Sequence, residues 1–523
     1  MKTICKFFLM ALCFCAFTNK AMGQFSGGDG SESNPYIIKT ATELAQLATY
    51  VNAGNENYNA KHYKMANDIE LSSYQTGAGW IPIGQYAIDS NNQPFKGIFD
   101  GNGYTIKNLF INNTTRDVVG LFGCIEGTVK NLGITDVNIS SYGSRSFVGG
   151  VVGYNWNGTV LNCYSTGSVS ATDDSYSRGL SFVGGVVGYN KGAVSMCYSA
   201  GSVSASTNND GSSYAGGIVG YNTNNIAVSN CYSTASVNAS STSTITTDAY
   251  YATSMSYAGG IVGSTGGIVQ RCYSTGSVSA SSTSTGSASS ISYAGGIAGQ
   301  ASVHSCYSIG SVSASSTSTG SASSMSYAGG ITGEGASHDL SNCAALNPSI
   351  NCIGSSKYLG RVIGSRWGEL SNNIAFNNML NPNGETIWNN KGANNLDGED
   401  ISIESINADG TLENCFPPRS GWTIKAGKLP GLFGNTVDMP EHLGGGAGIS
   451  DISITQTLKA HTQNGIVYVE GLIPGEQCFV FDLSGRLIYE SIARDVVQSV
   501  NLSMRSGVYI VKSGNGVVKL IVR

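Results

Sequence analysis

The sequence predicts an all-β protein: a parallel β-helix, or solenoid, of repeats of about 34 residues, with a short N-terminal capping helix and a small C-terminal β-sandwich. Three observations predict it. One element recurs as FVGGVVG at 147–153 and 182–188, YAGGIVG at 214–220 and 257–263, YAGGIAG at 293–299 and YAGGITG at 327–333. Degenerate copies stand at 118–123 and 358–364, and successive first glycines of the pairs lie 35, 32, 43, 36 and 34 residues apart. A second element follows each first one, as NCYSTGSV from Asn162, MCYSAGSV from Met196, NCYSTASV from Asn230, RCYSTGSV from Arg271 and SCYSIGSV from Ser305. Finally, both elements are short, rich in Val, Ile and Tyr, broken by Gly and alternating with period two, which is strand chemistry.

The spacing inside the second element gives the path of the chain. An apolar residue stands three before each cysteine: Val160, Val194, Val228, Val269, Val303 and, in a degenerate copy, Leu340. Both ends are apolar while the two positions between them vary, which one straight strand cannot accommodate. A corner is therefore expected in every repeat. Coils stacked about 4.8 Å apart then align identical residues in columns. Cys163, Cys197, Cys231, Cys272 and Cys306 would stack inside, and Tyr164, Tyr198, Tyr232, Tyr273 and Tyr307 outside. Each Gly-Gly would permit close backbone approach. Residues 272–299 match 306–333 at all but three of 28 positions, so one structural unit has been duplicated. A β-propeller is the second choice of fold, but four-stranded blades fit poorly into units this short.

Composition sets bounds on function. The chain has 523 residues, 70 of them Gly, with 41% hydrophobic and 12% charged residues and a net charge of −5. The apolar fraction argues against wholesale disorder. The lack of basic blocks argues against nucleic-acid binding.

The remaining elements follow in order. Residues 1–23 read as a signal peptide, with Lys2 and Lys6 before an apolar run at 7–17 and a small-x-small site at Ala21-Met22-Gly23. No later segment is a transmembrane candidate. Residues 24–115 form the N-terminal cap and first coils. There Thr40-Ala41-Thr42-Glu43 is a capping box before Leu44, Leu47, Ala48 and Val51 at helical spacing. Residues 116–437 carry the repeats and a C-terminal cap, 438–450 a flexible Gly-rich linker, and 451–523 six or seven strand-like runs.

The paired elements resemble the GLUG-motif repeats of bacterial surface proteins, on the strength of GG-I/V-V-G followed by N-C-Y-S-T-G-x-V (162–169), and of the preceding stretch 34–109. That resemblance implies a β-helical architecture and an adhesin-like surface role. Some immunoglobulin A peptidases carry similar repeats beside a zinc protease domain. The C-terminus, through VFDLSGRLIYE (480–490), SGVYIVK (506–512) and VVKLIVR (517–523), resembles the sorting domain of the Bacteroidetes type IX secretion system. This second resemblance implies export across the outer membrane and a secreted or cell-surface location.

Catalytic chemistry is not apparent in the sequence. Between Arg145 and Gly333 there are eight charged residues: Arg145, Asp173, Asp174, Arg178, Lys191, Asp210, Asp248 and Arg271. Polysaccharide-cleaving chemistry needs convergent carboxylates, and these charges occupy different repeat phases. No HExxH, G-x-S-x-G or P-loop is present. The cysteine column reads as buried small hydrophobes rather than a thiol or metal site. No cofactor or metal is expected. The external Tyr164, Tyr198, Tyr232, Tyr273 and Tyr307 column is the candidate ligand-binding strip, since stacked phenols suit sugar rings, but a structural ladder that packs laterally and shields the coil backbone is the favoured account of it. The expectation is thus a monomeric, non-enzymatic exported protein binding glycans or host and matrix proteins. The alternatives are a carbohydrate-active enzyme using Asp68, Glu70, Asp100, Asp397, Glu399 and Asp400, and a purely structural surface component.

Overall fold

The computed structural model describes residues 25–444 except 87–91, 114–116, 144, 175–178, 224–225, 245–252, 286–287, 320–321 and 336–338. It also describes residues 459–522 except 464–465, 471, 473–476, 483–485, 494–496, 501–506 and 514–515. The signal-peptide segment and residues 445–450 of the expected linker lie outside the described residues. The chain divides between Gly445 and Gly446 into two compact units.

The first unit is a parallel β-helix, as the repeats predict. One coil shows the plan. Strand Arg145–Gly149 lies in an eight-stranded first sheet, Val152–Asn155 and Thr159–Leu161 lie in a 17-stranded second sheet, and Tyr164–Asp173 lies in a 16-stranded third sheet. Every coil-to-coil pairing in these sheets is parallel and joins repeat-equivalent residues. Phe147 pairs with Phe182, Val160 with Val194, and Tyr164 to Asp173 with Tyr198 to Thr207.

Alternation decides what goes inside. In the first-sheet strand Val148 enters the central core, while Phe147 joins a separate aromatic cluster. Val160, Cys163, Val169 and Ala171 continue that core around the coil, and their equivalents in later coils are buried likewise. At the Gly149-Gly150 bend the backbones of adjacent coils and the Ser165 hydroxyl leave no room for a side chain. A Cβ on Gly150 would collide with Ser165 Oγ and with the Gly185 carbonyl. The expected corner is present in every coil. The residue just before the cysteine position adopts a left-handed conformation in all of them: Asn131, Asn162, Met196, Asn230, Arg271, Ser305, Asn342 and Asn372, with φ of 51–57°. That one residue rotates the chain so that both the valine before it and the cysteine after it point inward.

The N-terminal helix α1 (Ala41–Asn52) forms as the capping box predicts. Thr40 Oγ1 accepts from Glu43 N at 3.2 Å, and the Glu43 carboxylate accepts from Thr40 N at 3.1 Å. Leu44, Leu47, Ala48 and Val51 are its buried face.

The other end differs from a simple lid. After helix α2 (Ile403–Ala408), residues 409–437 turn back along the solenoid instead of only closing it. They are held by antiparallel bridges between Thr423 and Gly431 and between Leu429 and Val437, and Phe416, Trp422, Leu429 and Leu432 are buried in the same core as the coils.

The second unit contains three- and four-stranded antiparallel sheets. Val467 and Val469 of one sheet share a buried cluster with Cys478, Val480, Val511 and Leu520 of the other.

Candidate functional site

The tyrosine column forms as a ladder. Tyr164, Tyr198, Tyr232, Tyr273 and Tyr307 stack with ring centroids 4.5, 4.9, 4.9 and 5.1 Å apart and interplanar angles of 5–9°. Gly133 makes the seat for the first ring, since a Cβ there would strike the Tyr164 phenol. The expectation of an outward strip needs correction over its second half. Tyr307 is fully buried and Tyr273 is 6% exposed, because the returning strap roofs them. Trp422 lies 6.3 Å from Tyr273 and 5.9 Å from Tyr307, Phe416 packs edge-on to Tyr307, and the Tyr307 hydroxyl donates to the Pro430 carbonyl. Phe433 reaches as far back as Tyr232. Apolar strap side chains covering apolar rings remove both from water, which is reason enough for the arrangement. Tyr164, Tyr198 and Tyr232 remain half-buried.

A second aromatic array, not singled out from the sequence, lies where the first sheet bends into the second. The leading residue of each GG element stacks on its equivalent: Phe147 on Phe182 at 5.4 Å, Phe182 on Tyr214 at 4.8 Å, then Tyr257, Tyr293, Tyr327 and Tyr358 at 4.4–4.6 Å. Across the bend stands a shorter column of Tyr154, Tyr189 and Tyr221, from the VGYN strands. The two columns interlock edge to face, with Phe182 5.2 Å from Tyr189 and Tyr214 5.4 Å from Tyr221. Above them opens a recess of about 390 Å³, also lined by Tyr86, Leu180, Arg145 and Lys191. The Lys191 ammonium stands 5.8 Å from the Tyr154 ring and 5.9 Å from the Tyr189 ring, within cation–π range. Arg145 begins the first-sheet strand and Lys191 follows the second-sheet strand of the next coil, so the two cations come from different sheets in adjacent coils. Burial raises the Tyr154 and Tyr189 hydroxyl pKa values and pushes Tyr214 up to about 12, so these phenols are neutral donors at physiological pH.

Past Tyr221 the second column becomes polar. Ser264, Gln300 and Glu334 take the tyrosine position. Gln300 Nε2 donates to Glu334 at 2.8 Å, and the Trp367 indole, 77% exposed, donates to the same carboxylate at 3.0 Å. The recess was legible in principle, in the triplicate VGYN and the aromatic that opens each GG element. Its two halves lie on separate strands, and only the Gly-Gly bend makes them neighbours.

The carboxylates named for an enzymatic alternative do not converge. Asp68 and Asp100 pair with Lys107 and Lys130, and Glu70 accepts from Asn108, all in the first coils. At the far end Asp400 binds Arg361 at 2.7 Å and Lys391 at 2.9 Å, which hold its carboxyl below the usual range. Asp397 accepts from the backbone of Arg361 and Asn390. Asp173 accepts from Leu180 N. Among the described residues no three His, Cys, Asp or Glu side chains gather as a metal site, and no helix is long and apolar enough to cross a membrane.

Comparison with known proteins locates the repeat. The GLUG motif model matches residues 147–170 and 211–238. The first match begins at the aromatic of its GG element and the second three residues before it, and each runs through the left-handed corner into the third sheet, so one motif is one coil without its outer loop. A candidate Gly-rich membrane protein of Evansella cellulosilytica is 35% identical over 157 residues, which is 29% of this chain and 17% of that protein. Halomucin of Haloquadratum walsbyi is 30% identical over 148 residues, 28% of this chain and 2% of that protein. The chain therefore spans only a small part of the curated relatives it matches. A crystal structure described as a candidate immunoglobulin A1 protease from Bacteroides ovatus aligns over 80% of this chain and 96% of that one, at 22% identity and a TM-score of 0.42. The chain carries GLUG motifs, each of them one coil of a parallel β-helix.

Proposed function

We propose that this chain is an exported, non-enzymatic protein of the cell surface or extracellular space that binds glycans, with the aromatic recess at Phe147, Tyr154, Phe182, Tyr189 and Tyr214 as its binding site. The observation that carries the reading is the recess itself. It is a concave, ring-lined surface with phenol hydroxyls and two cations on a rigid scaffold, the combination that stacks on and orients a sugar. The strap roofs Tyr273 and Tyr307 of the Tyr164–Tyr307 ladder, whereas the recess sets cations beside its rings, so the recess takes the role first considered for the ladder. Export is supported by the charged and apolar pattern of residues 1–23. It is also supported by the C-terminal sequences that resemble a type IX sorting domain, through which the secretion machinery would be the second partner. The names of the two relatives, one a membrane protein and one a mucin, agree with a surface setting.

The test is binding of the mature chain, beginning at Gln24, to an array of glycans and matrix proteins. Saturable binding to a glycan class, abolished by Tyr189→Ala and retained by Tyr198→Ala, is the expected result. Binding that survives Tyr189→Ala but is lost with Tyr198→Ala would return the site to the ladder. A blank array from a folded protein would leave a structural role as the better account.

A further inference from the structure

The distribution of charge around the recess says which glycan it would take. Four cationic residues occur between Arg145 and Gly333, namely Arg145, Arg178, Lys191 and Arg271. Two of the four line this one recess. Arg271 is committed to the coil corner, where its Nε donates to Asn230 at 2.9 Å. Lys191 is held over Tyr154 and Tyr189, and its backbone N–H donates to the Asn155 carbonyl of the preceding coil. It therefore belongs to the wall rather than to a loose loop. Arg145 has an acidic neighbour within electrostatic reach in Asp117, which in turn feels Asp173. Asp117 tempers the positive field without supplying a carboxylate to the recess lining.

The ring columns that line the recess run from coil to coil along the solenoid, with a step of about 4.8 Å between coils. That step is close to the length of one sugar ring in an extended polymer.

We infer that the recess binds a linear polysaccharide of hexuronate units, its sugar rings against the half-buried Tyr189, Tyr214 and Tyr221 and its carboxylates meeting Arg145 and Lys191. A planar carboxylate fixed to the ring lies beside its apolar face, where a guanidinium and an ammonium can engage it while the ring stays against the aromatics. This inference rests on the glycan-binding reading and adds the ligand's charge to it.

The experiment uses the full mature chain and titrates polygalacturonate, its methyl ester, a neutral β-glucan and dextran sulfate, by calorimetry at low and raised salt. Polygalacturonate should bind at least about tenfold more tightly than its methyl ester, and its binding should weaken with salt. Lys191→Met and Arg145→Gln should each lose about tenfold on the acid polymer and little on the ester. Tyr189→Ala should lose both. Equal binding of acid and ester, or dextran sulfate binding as well as polygalacturonate, would overturn the hexuronate inference while leaving glycan binding in place. No binding to any polymer by a folded chain would overturn both. Circular dichroism of each variant establishes that folding is unchanged.

Discussion

The corner residue of each coil is where a single side chain does most to the fold. Eight coils place a residue at φ near +50°, and five of the eight are asparagine, the L-residue that tolerates that region best apart from glycine. The asparagines also bridge adjacent coils. Asn162 donates to Asn131 at 2.9 Å, Asn131 to Asp100 at 3.0 Å, and Asn372 to Asn342 at 2.6 Å. Met196 occupies the same position between Asn162 and Asn230, with its side chain exposed. Met196→Asn should therefore raise stability by about 0.5–1 kcal/mol, a fraction of the left-handed penalty. A higher midpoint in thermal or urea unfolding checks it, and an unchanged or lower midpoint would count against corner strain. The cysteines one residue later are all free thiols and buried. Burial raises the thiols of Cys163, Cys197, Cys231 and Cys272 well above their ordinary pKa and those of Cys352 and Cys415 to about 11. A thiol-specific reagent at neutral pH should thus leave the ten buried cysteines from Cys124 to Cys478 unmodified in the folded chain and label them only after denaturation. The corner was legible from the apolar spacing around it. Its left-handed residue was not, because Asn, Met, Arg and Ser all occupy that position, and the backbone path rather than side-chain type defines it.

Among the elements, the strap at 409–437 and the aromatic columns were the hardest to foresee, for different reasons. The strap repeats nothing and alternates with nothing. Its place on the tyrosine ladder follows from which apolar rings remain uncovered once the coils have formed. It depends most on Trp422, which is 3% exposed and touches Tyr273, Tyr307 and Phe416. Trp422→Ala should cost about 3–5 kcal/mol in that region. Limited proteolysis would read the loss as new cleavage within the strap while the coils stay intact. Simultaneous loss of strap and coils would show instead that the two unfold as one unit. The aromatic columns set a limit at high pH. Tyr214 and Tyr327 are raised to about 12, and Tyr154, Tyr198 and Tyr273 beyond that, chiefly by burial. Their folded-state pKa values lie above the unfolded value of 10, so the stability they contribute is whole below pH 10. It is lost as pH rises through 12, when the unfolded chain releases protons that the folded one retains. Circular dichroism across that window should report cooperative unfolding together with tyrosine ionisation. Tyrosine ionisation well below the loss of strand signal would mean that the rings are more solvated than their stacking implies.

For the molecule as a whole, the solenoid makes stability a sum over coils and their interfaces, and the duplicated repeat allows that to be tested with the tyrosine and valine columns kept. Cys272 and Cys306 occupy the same position in consecutive coils, with Val278 to Ser284 paired residue for residue to Val312 to Ser318 and Ser290 to Gly295 paired to Ser324 to Gly329. Deleting residues 272–305 joins Arg271 to Cys306. This brings Tyr232 beneath Tyr307, Val237 beneath Val312 and Tyr257 beneath Tyr327, so these three columns close with a residue of the same kind, while Ser264 comes beneath Glu334 in place of Gln300. The strap can keep its seat, since Tyr232 takes the place of Tyr273 under Trp422 and Tyr198 that of Tyr232 beside Phe433. The shortened chain should therefore fold as a parallel β-helix with one coil fewer, an axial length shorter by about 4.8 Å, and a unit-one melting temperature lowered by no more than a few degrees. Because the recess at Phe147, Tyr189 and Tyr214 lies in coils before the deletion, its ligand binding should be unchanged. Circular dichroism, small-angle scattering and the glycan titration read these three outcomes separately. A folded, shortened chain with lost binding would mean that the recess needs the polar column at Gln300 and Glu334. A chain that fails to fold would mean that nearest-neighbour stacking alone does not hold the solenoid together.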